Sequence, residues 1–120
     1  MPPFVAMGRA MLEHRAYINL TYSAAKALPY FMKKPKLPFN WNAFYEVEFA
    51  LTYSEAKKLG FSTGTWRRII GELVKKGFID PVRKGGLCGE GRISNIFKNS
   101  RRWEKYGTQK FEKVEWKEFI

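Results

Sequence analysis

The sequence predicts a mixed α+β domain, a three-helix core followed by a β-hairpin, and three observations carry that expectation. Residues 63–76 repeat apolar side chains at helical spacing behind a serine cap. A capping box and a glycine set another helix immediately before it, and two short runs rich in β-branched and aromatic residues flank a glycine-rich segment after it.

In chain order, residues 5–13 place Val5, Met7, Met11 and Leu12 at roughly helical spacing with Arg9 and Glu13 outside, which predicts a short leading helix. Thr21 caps a helix over 22–33, where Ala24, Ala25, Leu28, Phe31 and Met32 form an apolar stripe and Pro29 removes one backbone donor. Pro35 and Pro38 end it, since each disfavours helical backbone in the residue before it, and the aromatic segment 39–45 reads as a loop. Val47, Phe49 and Leu51 alternate with Glu48 and Ala50 as a short half-buried strand, which sets Glu46 and Glu48 on one side as surface carboxylates.

Thr52-Tyr53-Ser54-Glu55 is a capping box, so a helix runs over 53–59. Gly60 supplies the left-handed residue that ends it, and Ser62 caps the next helix after a very short turn. Over 63–76, Trp66, Ile69, Ile70, Leu73 and Val74 share one face, while Thr63, Gly64, Arg67, Arg68, Gly71, Lys75 and Lys76 point elsewhere; Gly77 terminates the helix. Residues 78–82 and 92–97 read as two strands linked by a basic, glycine-rich loop over 83–91. Ser100 caps a last short helix through Trp103 and Tyr106, both read as core residues, and 108–120 fits neither period. The expected organisation is one domain over 1–107 and a tail over 108–120 without assigned structure.

The chain has 120 residues, 45% of them hydrophobic, enough for a real core and far too apolar for a disordered segment. Its 22 Lys and Arg against 11 Asp and Glu leave a formal charge of +11, a surface that repels itself unless a polyanion neutralises it. The excess concentrates at 63–105, where 11 basic groups face 4 acidic ones. Nucleic acid is therefore the first partner to consider.

Cys88 is the only cysteine, which excludes an internal disulfide, and the N-terminal residues lack the charged and apolar runs of a signal peptide; a cytoplasmic protein is expected. No membrane span is expected either, because no window approaches ~18 apolar residues. With one His, one Asp and one Cys (His14, Asp80 and Cys88), the chain lacks a nucleophile–His–carboxylate set and a Cys/His metal site, so no enzymatic activity, metal or cofactor is expected. The glycines from Gly85 to Gly91 are not followed by the Lys-Ser or Lys-Thr of a phosphate-cradling loop, and no small-molecule substrate is evident.

The run from Ser54 through Leu59-Gly60-Phe61-Ser62, then Thr65-Trp66-Arg67-Arg68-Ile69-Ile70-Gly71-Glu72-Leu73-Val74-Lys75-Lys76-Gly77-Phe78-Ile79, resembles the winged helix-turn-helix family. The Leu-Gly turn, the Thr near the start of the second helix and the Leu-x-x-x-Gly-x-Ile ending carry that resemblance, which covers about 21–97. Ser100, Trp103 and Tyr106 also resemble a short pattern of small phage and plasmid proteins with this fold, replication initiators among them.

The resemblance implies sequence-specific binding of double-stranded DNA, in transcription regulation or DNA replication. A major groove about 12 Å wide admits one helix, so the base-contacting positions are expected at Thr63, Gly64, Arg67, Arg68 and Gly71. Arg67 is the first candidate to read guanine with its planar fork, and Arg68 reaches a base or a phosphate. Thr52, Ser54, Lys57 and Lys58, the hairpin residues Arg83, Lys84 and Arg92, and Arg101 with Arg102 are the candidate backbone contacts. A homodimer on two half-sites is a further expectation. The competing reading is a winged-helix module that holds protein through Trp41, Phe44, Trp116 and Phe119; RNA binding is a third.

Overall fold

The computed structural model describes residues 7–35, 41–83, 86–88, 91–93 and 95–114, the backbone alone at 41–43, 86–88 and 91–93. Helices α1 (Arg9–Glu13), α2 (Arg15–Ile18), α3 (Tyr22–Met32) and α4 (Trp41–Glu46) precede strand β1 (Phe49–Ala50). Helices α5 (Tyr53–Lys58) and α6 (Thr63–Lys76) follow, then strands β2 (Ile79–Arg83), β3 (Gly86–Cys88), β4 (Gly91–Ile93) and β5 (Ile96–Asn99), and a 3₁₀ turn over Arg102–Lys105. The fold is mixed α+β, with a three-stranded antiparallel sheet in the order β1-β5-β2.

Local chemistry sets the bounds of α6. Ser62 Oγ accepts the Thr65 N–H at 3.2 Å, closing the first turn. At the far end Gly77 is left-handed (φ 89°), and Phe78 donates its N–H back to the Leu73 carbonyl at 2.9 Å, a Schellman ending. Glycine is required here twice over, because a Cβ would stand 2.5 Å from the Trp103 backbone nitrogen. Trp66, Ile69, Ile70, Leu73 and Val74 are buried, and Trp66 stacks on Phe31 of α3 with ring centroids 5.4 Å apart. Phe97 of β5 meets Phe31 edge-on, so helices and sheet share one core.

Several elements differ from their sequence expectation. The leading helix α1 ends at Glu13 as expected, and a second helix that the sequence did not indicate, α2, starts after His14, whose backbone is extended and whose Nδ1 accepts the Ala16 N–H at 3.0 Å. Met11 is buried as expected but Leu12 is exposed. Helix α3 runs through Pro29 to Met32. The segment expected as a loop forms α4, and Trp41, Phe44 and Tyr45 carry the i, i+3, i+4 spacing that a six-residue helix allows.

The half-buried strand shortens to β1, whose Phe49 and Ala50 pair with Phe97 and Ile96, and Glu46 closes α4 rather than joining a strand. The glycine-rich link carries its own antiparallel pair, β3 with β4, beyond a bulge between Pro81 and Arg83. After β5, Ser100 Oγ accepts the Arg102 N–H at 3.1 Å, and Trp103 is buried, stacked on Phe78 and edge-on to His14. The chain beyond 107 folds back: Phe111 meets Tyr106 at 5.4 Å and Val114 packs against the core.

Candidate nucleic-acid interface

Helix α6 presents its solvent side with Thr63, Gly64, Arg67 and Arg68 exposed and Gly71 partly so. Nothing lies within 4 Å of where a Cβ would stand at Gly64 or Gly71, so neither glycine serves internal packing. Arg67 makes no hydrogen bond or ion pair among the described residues, and its side chain is exposed beside the buried face that Trp66, Ile69, Ile70, Leu73 and Val74 form.

Arg68 is different. Its Nη1 donates to Thr21 Oγ1 at 3.1 Å and to Glu72 Oε1 at 3.4 Å, with the side chain 48% exposed. Glu72 in turn accepts the Thr21 N–H at 2.7 Å and the Thr21 hydroxyl at 2.9 Å. Lys76 completes the group, its Nζ 3.9 Å from Glu72 Oε2 and bonded to the Asn19 carbonyl. This cluster ties α6 to the start of α3. One arm of Arg68 is therefore held against the start of α3, with about half of the side chain exposed.

Before the turn, the Thr52 capping box forms as expected. Thr52 Oγ1 accepts the Glu55 N–H at 3.1 Å while Glu55 Oε1 accepts the Thr52 N–H at 3.4 Å. Glu55 also pairs with Lys34 at 2.5 Å. Burial pushes the Glu55 carboxyl up, but the Lys34 hydrogen bond, the Thr52 N–H and the Lys34 charge together hold it below its ordinary value. Thr52 is engaged in the cap and is partly buried. Ser54, Lys57 and Lys58 are exposed, and Gly60 is left-handed (φ 97°) as the short turn requires.

Among the later basic residues, Arg83 is exposed at the end of β2. Lys84 lies outside the described residues, and for Arg92 the backbone alone is described, opposite Leu87 in the β3–β4 pair. Arg101 is 61% exposed, donates to Glu104 at 2.6 Å and lies over the Tyr45 ring; the Glu104 hydrogen bond and charge raise its pKa.

Arg102, expected at the backbone, is an internal clamp instead, only 10% exposed. Its Nε meets Asp80 Oδ1 at 2.6 Å. Its two terminal nitrogens donate to the carbonyls of Val74 (2.8 Å), Ile79 (3.0 Å) and Glu112 (2.9 Å). Four of its five N–H donors are therefore engaged inside the protein, and a single Nη1 hydrogen remains.

Of the four aromatics of the competing protein-binding reading, only the Phe44 side chain is described, with the backbone alone at Trp41. Phe44 packs partly buried against the core and edge-on to Tyr45, and Trp116 and Phe119 lie outside the described residues. Two exposed α3 residues that the sequence did not single out border α6: Tyr22, and Lys26 with its Nζ 5.6 Å from the Phe61 ring centroid. Comparison with family models, curated proteins and solved structures returned no match. No described helix is long and apolar enough to cross a membrane.

Proposed function

We propose that the chain is a winged helix-turn-helix domain that binds double-stranded DNA in a sequence-specific manner, with α6 in the major groove, the β3–β4 extension beside the backbone, and a regulatory or replication-initiating role. The observation that carries this reading is Arg67, an exposed guanidinium without a partner among the described residues, on a helix capped at both ends and anchored by its buried face. A rigid rod with a free planar fork is what bidentate reading of guanine O6 and N7 requires. The +11 charge and the exposed Lys57 and Lys58 on α5 support it, since phosphate contacts supply affinity and register.

The test is selection of bound sites from a random duplex pool, followed by salt titration on a selected and a scrambled duplex. With ~5 to 8 phosphates contacted, the log–log slope falls at roughly −4 to −7, and Arg67→Ala relaxes base preference while Lys57→Ala weakens all duplexes alike. A flat slope, or a pool that yields no preferred sequence, assigns the surface to another partner and overturns the proposal.

A further inference from the structure

Helix α3 packs beside α6 and is linked to the α5–α6 unit at its start and again at its middle. At its start, Thr21 Oγ1 accepts from Arg68 and Thr21 N–H donates to Glu72. Farther along, Lys26 Nζ stands over the ring of Phe61, in the turn between α5 and α6, and Phe61 rests on Trp66 with centroids 5.5 Å apart. The α3 ridge opposite its buried face carries Tyr22, Lys26 and Pro29 at i, i+4 and i+7, with Lys33 as the C-cap. It is basic and carries no Asp or Glu.

Tyr22 is 96% exposed. An aromatic ring held in water by a capped helix gains none of the burial that normally stabilises one, and its hydroxyl has no described partner. Lys26 is likewise exposed, with its ammonium at the junction where α6 begins. Arg68 reaches the start of the same helix, donating to Thr21 Oγ1 next to Tyr22 in the chain.

We infer that this α3 ridge is a second rail of the interface, gripping the sugar–phosphate backbone along one border of the groove through Lys26 and Tyr22, while Lys57 and Lys58 hold the backbone at the other. The inference rests on the DNA-binding reading above. Charge complementarity chooses the occupant: a row with a cation, a hydroxyl-bearing ring and no carboxylate suits phosphate and sugar, and Tyr and Lys side chains are ordinary donors to phosphate oxygens. Such contacts hold register without reading bases, so they are blind to sequence.

The test uses the full chain, with Lys26→Gln, Tyr22→Ala and Lys57→Ala compared by fluorescence anisotropy against selected and scrambled duplexes, after circular dichroism shows each variant folded. Lys26→Gln lowers the magnitude of the log–log salt slope by ~0.9, so that between ~50 and ~200 mM salt it loses about 3.5-fold less affinity than the parent. Tyr22→Ala leaves the slope unchanged and weakens every duplex by about ten- to a hundredfold, the range of one lost hydrogen bond to a charged group. A parent that binds steeply, a Lys57→Ala variant with a reduced slope and a Lys26→Gln variant with the parental slope together overturn the inference while leaving the DNA-binding reading intact. A parent that binds no duplex overturns both.

Discussion

Glu72 Oε2 accepts the backbone N–H of Thr21 at 2.7 Å, so a carboxylate from the middle of α6 closes the first turn of α3. The same carboxylate accepts the Thr21 hydroxyl, the Arg68 guanidinium and the Lys76 ammonium, and its side chain is 14% exposed. It fixes the angle between the two helices and the direction of Arg68 together. Removing it leaves the Thr21 amide and hydroxyl without their acceptor and two cations without their counter-charge, although Arg68 keeps Thr21 Oγ1 and Lys76 keeps the Asn19 carbonyl; Glu72→Ala is expected to cost about 1–3 kcal/mol in urea denaturation, and Glu72→Gln less, because one acceptor oxygen remains. A loss below about 0.5 kcal/mol for Glu72→Ala, the level of an ordinary surface substitution, contradicts this account.

Arg102 joins four elements through one side chain: the end of α6 at Val74, β2 at Ile79 and Asp80, and the returning chain at Glu112. Replacing it by alanine takes a donor from the Asp80 carboxylate and from the Ile79 and Glu112 carbonyls, while the Val74 carbonyl keeps the Gly77 N–H. Arg102→Ala is expected to lose about 3–5 kcal/mol, the range for breaking a buried ion pair from one side. Arg102→Lys recovers little, since a single ammonium cannot reproduce the fork. The salt slope of duplex binding by the folded protein stays at the parental value. A slope reduced by ~0.9 in a stably folded Arg102 variant instead restores it to the phosphate contacts.

What could be read in advance follows from how far apart the determining groups lie in sequence. The α5–α6 pair was legible to the residue at α6 because caps are local: Ser62 with Thr65, Thr52 with Glu55, and the left-handed Gly60 and Gly77. Helix α4 was obscured because its aromatic spacing spans six residues beside two prolines. The fates of Arg68 and Arg102 depend on Thr21, 47 residues away, and on Asp80 and Glu112, partners that only the folded chain brings within reach. The Arg68–Glu72 spacing of four was visible, yet a pairing on one helix does not show that Thr21 joins it. Lys26 was missed because an isolated lysine on an apolar helix carries no periodic signal.

Glu55 links pH to stability with a definite sign. Its folded carboxyl lies below its ordinary value, where the Lys34 and Thr52 hydrogen bonds and the Lys34 charge outweigh burial. The unfolded state therefore binds the proton more readily, and the stabilisation is fully present above the unfolded value of about 4.3 and disappears as pH falls through the lower folded value. Because Glu55 is 41% exposed, solvent screening keeps the effect small. Midpoints of urea denaturation are expected to fall on acidification below about pH 4.3, less steeply in Lys34→Ala. Equal acid dependence in parent and variant removes Lys34 from the explanation.

Gly71 separates folding from binding more sharply than any arginine. It sits in the interior of α6, where glycine is about 0.8–1.0 kcal/mol worse than alanine, and an added Cβ meets nothing within 4 Å. Gly71→Ala is thus expected to raise the melting temperature, by roughly 3–6 °C for a domain of this size. If α6 lies in a groove, the same methyl group stands between its backbone and the DNA, so duplex affinity falls while stability rises. The two quantities are read on one sample, by thermal denaturation and by anisotropy. A variant that melts higher and binds as tightly as the parent shows that this face of α6 never closes on a ligand, and the glycine then has no part in recognition.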